Sequence, residues 1–171
     1  MEKGYVQVYT GNGKGKTTAT MGLALRAVCA GRRVIVIQFI KGMAYSELRA
    51  PEFLPGFEIE QHGRECFINR NPEQEDIDCA LKGLKRLRDV VTSGEYDVVI
   101  ADEINIALHY KLFSVSDVLE LIKGRDAGTE FILTGRKAPQ EIIDAADLVT
   151  EMVEVKHYYN NGVAARVGIE R

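Results

Sequence analysis

The densest chemical signal in the chain is the run Thr10-Gly11-Asn12-Gly13-Lys14-Gly15-Lys16-Thr17-Thr18. Glycines at alternate positions free the backbone to turn N–H groups toward an anion and let phosphate oxygens come close. Lys16 adds a point charge for the phosphates, and Thr17 offers a hydroxyl to Mg²⁺. The strict phosphate-loop pattern has Gly at position 10, where this chain has Thr, so the loop is a variant. Gly11, Asn12, Gly13, Lys14, Gly15, Lys16, Thr17 and Thr18 are therefore candidate nucleotide contacts; the competing reading is a Gly/Lys-rich turn without a ligand. A second signal is Val98-Val99-Ile100-Ala101-Asp102-Glu103, an apolar run ending on two acids. In phosphoryl-transfer proteins a carboxylate so placed serves the Mg²⁺; alone, the same pattern also fits an acidic cap on a following helix. Thr17, Asp102 and Glu103 are the metal candidates, and Lys16 and Glu103 the catalytic ones. Arg136, just past the run 131–134, is placed to reach the edge of such a site, or else is a surface arginine.

Other reactive residues form no pattern. His62, His109 and His157 are far apart in sequence, and Cys29, Cys66 and Cys79 match neither a disulfide framework nor a zinc spacing. The cysteines read as reduced packing residues, with Cys66 alone in a loop of interest.

These residues need elements that hold them. Gly4–Thr10 alternates as a strand, and Thr17–Ala30 has helical spacing on Met21, Ala24, Leu25 and Val28, stopped by Gly31. Arg33–Ile40 reads as a strand buried on both faces. A connection with two prolines spans 41–55, Phe57–Gln61 is a short strand, and 63–71 an irregular loop. Asn71-Pro72 is expected to open a long helix, Pro at its first position, with Ile77, Ala80, Leu81, Leu84 and Val91 inward, ending at Ser93-Gly94. Tyr96–Ala101 is a strand and a short helix follows Glu103. Ser114 and Asp117 form a capping box for a helix to Lys123. Thr129–Thr134 is a strand, Pro139–Ala145 a helix, and Leu148–Val153 and Val163–Ile169 are the last strand candidates. Alternating strands and helices predict an α/β fold: one domain over 1–171, a mostly parallel sheet in a three-layer P-loop NTPase (RecA-like) sandwich. Ligands then bind at the C-terminal strand ends.

Composition agrees. The chain has 171 residues, 46% hydrophobic and 27% charged, which excludes disordered, collagen-like and membrane-spanning classes. No signal peptide fits Met1-Glu2-Lys3-Gly4, which points by default to the cytoplasm. The net charge of −3 hides a split, since residues 1–49 carry eight Lys/Arg against two Asp/Glu. With no stacking platform of aromatic and basic residues, that excess suggests a small anionic ligand rather than nucleic acid.

The ordered motifs resemble the P-loop ATP:corrinoid adenosyltransferases. After the loop come Gln38-Phe39-Ile40-Lys41-Gly42, Asp102-Glu103-Ile104-Asn105, Thr134-Gly135-Arg136 before Ala138-Pro139, the stretch 145–152 from Ala145 to Met152, and Lys156-His157. Gly162, Ala165 and Gly168-Ile169-Glu170 close a likeness that covers nearly the whole chain. The resemblance implies ATP and a corrinoid as substrates and Mg²⁺ with the ATP. A Co(I) corrinoid attacks C5′ of ATP and the whole triphosphate leaves. It implies Arg26 near the nucleoside, and Phe39, Lys41, Phe67 and Arg136 on the corrinoid side. Phe67 matches an aromatic that keeps a lower axial ligand off cobalt. It further implies a homodimer and a flavoprotein or flavodoxin-type reductant, with neither a nucleic-acid nor a membrane partner.

Of four departures from the family pattern, the first two fall on the corrinoid side. Asn69 stands where an aromatic is usual, and Met43-Ala44-Tyr45-Ser46-Glu47 makes a shorter loop without its usual Trp. Lys137 replaces a usual Gly and Glu154 a usual Pro. On the P-loop and the paired acids alone, two other readings stand: an ATPase or small-molecule kinase, and an ATP-dependent DNA-binding module.

Overall fold

Strand β1 (Val6–Thr10) runs into the glycine-rich loop, and helix α1 (Lys16–Cys29) leaves it, in a computed structural model that describes residues 2–64 and 71–170. The elements that follow are β2 (Val34–Phe39), a 3₁₀ turn (Ser46–Arg49), α2 (Ala50–Phe53), β3 (Phe57–His62), α3 (Gln74–Thr92), β4 (Val98–Asp102) and α4 (Ile104–His109). Then come α5 (Val115–Gly124), β5 (Glu130–Thr134), α6 (Gln140–Ala145), β6 (Leu148–Glu151) and a second 3₁₀ turn (Tyr158–Asn161). The strands form one six-stranded sheet in the order β3-β2-β4-β5-β1-β6, and every pairing is parallel. β5 therefore lies between the strand that carries the glycine loop and the strand that carries the acids.

Side chains alternate across this sheet. Val34, Val36, Val98, Ile100 and Ile132 pack with Ala24 of α1 on one face. Ile35, Ile37, Phe39, Val99, Ala101, Phe131 and Leu133 pack with residues of α3, α4, α5 and α6 on the other. Both faces are covered, which is why β2 and β4 read as continuous apolar runs. This is the predicted α/β sandwich of P-loop NTPase type.

Four local expectations need correction. The 41–55 connection is partly helical, carrying the first 3₁₀ turn and α2. Helix α3 starts at Gln74 rather than at Pro72, because Glu73 and Asp76 form a reciprocal capping box one residue past the proline. Leu81 is exposed, and Leu87 and Val90 complete the buried stripe. The Val163–Ile169 alternation forms no strand. Gly162 at φ 83 and Gly168 at φ 76 place turns at both ends of the segment, and no strand pairs with it among the described residues. The Ser114–Asp117 box forms in both directions as the sequence implied.

Candidate functional site

The glycine loop crosses the C-terminal end of the sheet at the start of α1. Gly15 caps that helix at φ 121, a conformation that favours glycine, with only Met152 Sδ within reach of an added Cβ. Gly11, at φ 92, shares that conformational need, and Gly11 and Gly13 both meet a second constraint. A Cβ on Gly11 would sit 2.4 Å from Met152 O, and one on Gly13 would sit 2.8 Å from the same atom. The Gly13 N–H donates to Met152 O at 2.7 Å. Close approach of the chain beyond β6, rather than room for phosphate, is what these two glycines supply. Gly11 and Asn12 do not line the cleft described below. Lys16 folds back on its own loop, donating from Nζ to the Gly11 and Gly13 carbonyls, both at 2.8 Å. Burial pushes its ammonium below the ordinary lysine pKa, and the nearby Glu103 carboxylate opposes that shift.

Asp102 ends β4, fully buried, with both carboxylate oxygens taken. Oδ1 accepts from Thr17 Oγ1 at 3.0 Å and Thr134 Oγ1 at 2.7 Å; Oδ2 accepts from Gln38 Nε2 at 3.1 Å and Lys41 Nζ at 2.8 Å. Register explains the convergence: Gln38 pairs with Asp102, Ala101 with Leu133, so β2, β4 and β5 present adjacent residues toward α1. Thr134 also accepts the Glu103 N–H at 2.9 Å. Glu103 takes a left-handed conformation, φ 60, and turns its side chain to the cleft, where burial and then the Asp102 charge raise its pKa.

Lys41 was expected on the corrinoid side, but its ammonium lies at this carboxylate corner. Besides Asp102, it donates to Thr17 Oγ1 at 3.3 Å, stands 3.7 Å from Glu47 Oε1, and lies over the Tyr45 ring. It is held above the ordinary lysine pKa: burial is the largest influence and acts downward, but the charge and hydrogen bond of Asp102 outweigh it. Ile40, just before it, is β-branched at φ 65, a strained conformation that aims Lys41 inward.

A cleft of about 540 Å³, in the range of small-molecule sites, is lined by Gly13 to Thr18, Met21, Lys41, Tyr45, Ser46, Glu47, Glu103 and Arg136. His157 and Gly168 to Glu170 close it from the C-terminal segment, where Lys14 Nζ donates to Ile169 O at 3.2 Å. The structure thus gathers loop, Glu103, Lys41 and Arg136 on one cleft, with Asp102 behind it.

Besides Gly11 and Asn12, two further expected contacts are not on that wall. Phe39 is wholly buried and packs edge-on to Phe113 at 5.5 Å between ring centres, so it presents nothing to a corrinoid in this conformation. It shares the sheet face of Ile35 and Ile37. Arg26 is exposed on α1 beyond the cleft-lining Met21. Phe67, with Cys66 and Asn69, lies outside the described residues. Of the histidines, His157 lines the cleft, while His62 pairs with Glu60 and His109 meets Lys137. Sequence reasoning missed Gln38, Glu47, Thr134 and Met152. Gln38 had a signal, a lone amide in a strand otherwise apolar; Thr134 and Met152 stood in family-like stretches with no role attached, and Glu47 had no signal.

Thr17 Oγ1 gives its proton to Asp102, which leaves its lone pairs for a cation, and Glu103 adds a carboxylate. Such hard oxygen donors suit Mg²⁺, which keeps several waters and substrate phosphates as its remaining ligands.

A profile of the family described as "ATP:corrinoid adenosyltransferase BtuR/CobO/CobP" matches residues 2–171. A corrinoid adenosyltransferase of Pseudomonas aeruginosa is 36% identical over 99% of this chain and 84% of its own length. One from Sinorhizobium is 35% identical over 99% and 81%. The Salmonella typhimurium protein named Corrinoid adenosyltransferase CobA is 34% identical over 99% and 86%.

Proposed function

The chain belongs to the ATP:corrinoid adenosyltransferase family, and from that premise we propose how its cleft transfers the 5′-deoxyadenosyl group of ATP to the Co(I) of a corrinoid. Cobalt supplies an electron pair to C5′ as the C5′–O bond breaks, and that bond's pair leaves on the triphosphate. Because the nucleophile arrives already activated, the protein's task is to hold ATP and stabilise charge on the departing group. The single observation that carries this reading is that the glycine loop, Lys16, Glu103 and Arg136 line one cleft in a chain matched along its length by that family's profile.

Within the cleft, N–H groups of the loop around Gly15 and the N-terminus of α1 face the phosphates. Lys16 exchanges its loop carbonyls for phosphate oxygens. Thr17 and Glu103 would hold Mg²⁺, and Asp102 would orient Thr17 from behind rather than bind the metal itself. Bound there, Mg²⁺ neutralises charge on the triphosphate. Arg136 contributes a further positive charge at the rim. His157 and the segment 168–170 form the wall opposite α1, on the nucleoside side. The corrinoid lies at the cleft's open edge or between two copies of the chain; Phe67 remains assigned to cobalt's lower face on resemblance.

A homodimer is part of the proposal. Among the described residues β6 pairs with β1 alone and ends the sheet, and Leu148 and Val149 on it are exposed. A flavoprotein-type reductant and a cytoplasmic setting complete it. Among the described residues no helix is long and apolar enough to cross a membrane.

The test mixes MgATP with a chemically reduced corrinoid under anaerobic conditions. A light-sensitive alkylcobalt spectrum and inorganic triphosphate are expected. ADP without an alkylcobalt product would instead support an ATPase or small-molecule kinase.

A further inference from the structure

We propose that Lys41 is a built-in cation of the metal corner, holding the place of the divalent ion until the nucleotide arrives, so that Lys41 and Mg²⁺ are alternative occupants of the same site. The inference rests on the placement of the metal beside Thr17, not on the identity of the acceptor.

The geometry is specific. Thr17 Oγ1 has one proton, given to Asp102 Oδ1 at 3.0 Å, and its remaining lone pairs are what a P-loop hydroxyl gives a metal. Lys41 Nζ takes one of them at 3.3 Å while holding Asp102 Oδ2 at 2.8 Å. The ammonium therefore bridges the hydroxyl and carboxylate that define the corner. An Mg²⁺ on the Thr17 hydroxyl would need an oxygen distance near 2.0–2.1 Å and a shell of about six ligands around it. A divalent ion on that hydroxyl would stand beside the ammonium as a like charge and compete with it for the same oxygen, which favours displacement of Lys41.

The surroundings are built for a cation that stays and can then leave. Asp102 and Lys41 are both shielded, with side chains 0% and 14% exposed. Without Lys41, the buried Asp102 carboxylate would keep only neutral donors, Thr17, Gln38 and Thr134, in direct contact. A departing Lys41 has a second acceptor already near, Glu47 Oε1 at 3.7 Å, on the 3₁₀ turn that also lines the cleft. Ile40, just before Lys41, is a β-branched residue at φ 65, so the backbone that carries the lysine is strained in this setting. Lys41 thus suppresses binding of a free divalent ion to the nucleotide-free protein and leaves the corner to the metal that comes with the triphosphate.

Mn²⁺ titration of the nucleotide-free protein, read by electron paramagnetic resonance, tests this without corrinoid or turnover. Lys41→Met is expected to bind Mn²⁺ at least tenfold more tightly than the wild type, and adding Asp102→Asn to Lys41→Met should remove the gain. Lys41→Arg, which keeps the charge, should stay near the wild type. If Lys41→Met does not fold, Lys41→Gln carries the same expectation. Equal Mn²⁺ affinity in the wild type and in the folded uncharged variant would overturn the proposal. Because the titration uses no corrinoid, a failed adenosylation assay leaves this result untouched, and the reverse also holds.

Discussion

Thr134→Val removes one hydroxyl from the centre of the site and almost no volume. Thr134 is fully buried at the end of β5. Its hydroxyl donates to Asp102 Oδ1 at 2.7 Å and accepts the Glu103 N–H at 2.9 Å, tying β4 to β5 where the sheet meets the cleft. Valine loses a hydrogen bond to a charged acceptor, worth about 1.5–3 kcal/mol, and orphans an N–H, at about 1–3 kcal/mol. The two losses share one atom and relax together, and the extra methyl returns some apolar burial. A net loss of about 2–4 kcal/mol is therefore expected. For a chain of this size that is a fall in Tm on the order of 10 °C. Urea unfolding at neutral pH, followed by circular dichroism, should show a lower midpoint with an unchanged slope. A loss below about 1 kcal/mol would mean that Asp102 and Glu103 do not depend on this hydroxyl, and the account of how the corner is held would be wrong.

Four other expectations follow from particular atoms. Gly13→Ala puts a Cβ 2.8 Å from Met152 O, so it should cost about 1–3 kcal/mol of overpacking and weaken ATP binding by calorimetry; an unchanged melting curve would contradict the close approach. Lys137, a left-handed residue at φ 58, should gain about 1 kcal/mol on replacement by Gly, read as a rise in Tm; a fall would show that its contact with His109 outweighs the strain. Burial pushes the Glu60 carboxyl up, but its hydrogen bonds and ion pair with Arg86 hold it below its ordinary value of 4.5. That contribution is present above pH 4.5 and lost as pH falls through the folded value, so the Tm gap between wild type and Arg86→Met should close on acidification; a constant gap counts against it. Lys16→Ala should lower turnover by about 10²–10³ with triphosphate still the product, and a near-normal kcat would remove Lys16 from the leaving group.

Much of the fold was legible because burial on two faces leaves continuous apolar runs, which mark β2 and β4 directly. The Ser114–Asp117 box was legible because its partners lie three residues apart. Val163–Ile169 shows the opposite case: its alternation has the period of a strand, but a strand needs a neighbour, and turns at Gly162 and Gly168 bound the segment instead. Within the site, the glycine loop and paired acids stood out because their chemistry depends on local order in sequence. Phe39 alternates with Ile35 and Ile37, a pattern that puts it in the core, whereas the family motif implies a corrinoid contact. Lys41 and Thr134 could not be tied to Asp102 from sequence, since they lie 61 and 32 residues from it and meet it only through sheet register. The role of Gly11 and Gly13 against Met152 was hidden for the same reason.

The central claim is that the bond broken lies between C5′ and its oxygen. ATP carrying ¹⁸O at the 5′ bridging position, incubated with the protein, Mg²⁺ and a Co(I) corrinoid, tests it most directly by mass spectrometry of the phosphate product. The account predicts that the label leaves in inorganic triphosphate, one ¹⁸O per molecule, in step with alkylcobalt formation. Label retained in ADP or AMP would show cleavage at phosphorus and contradict it.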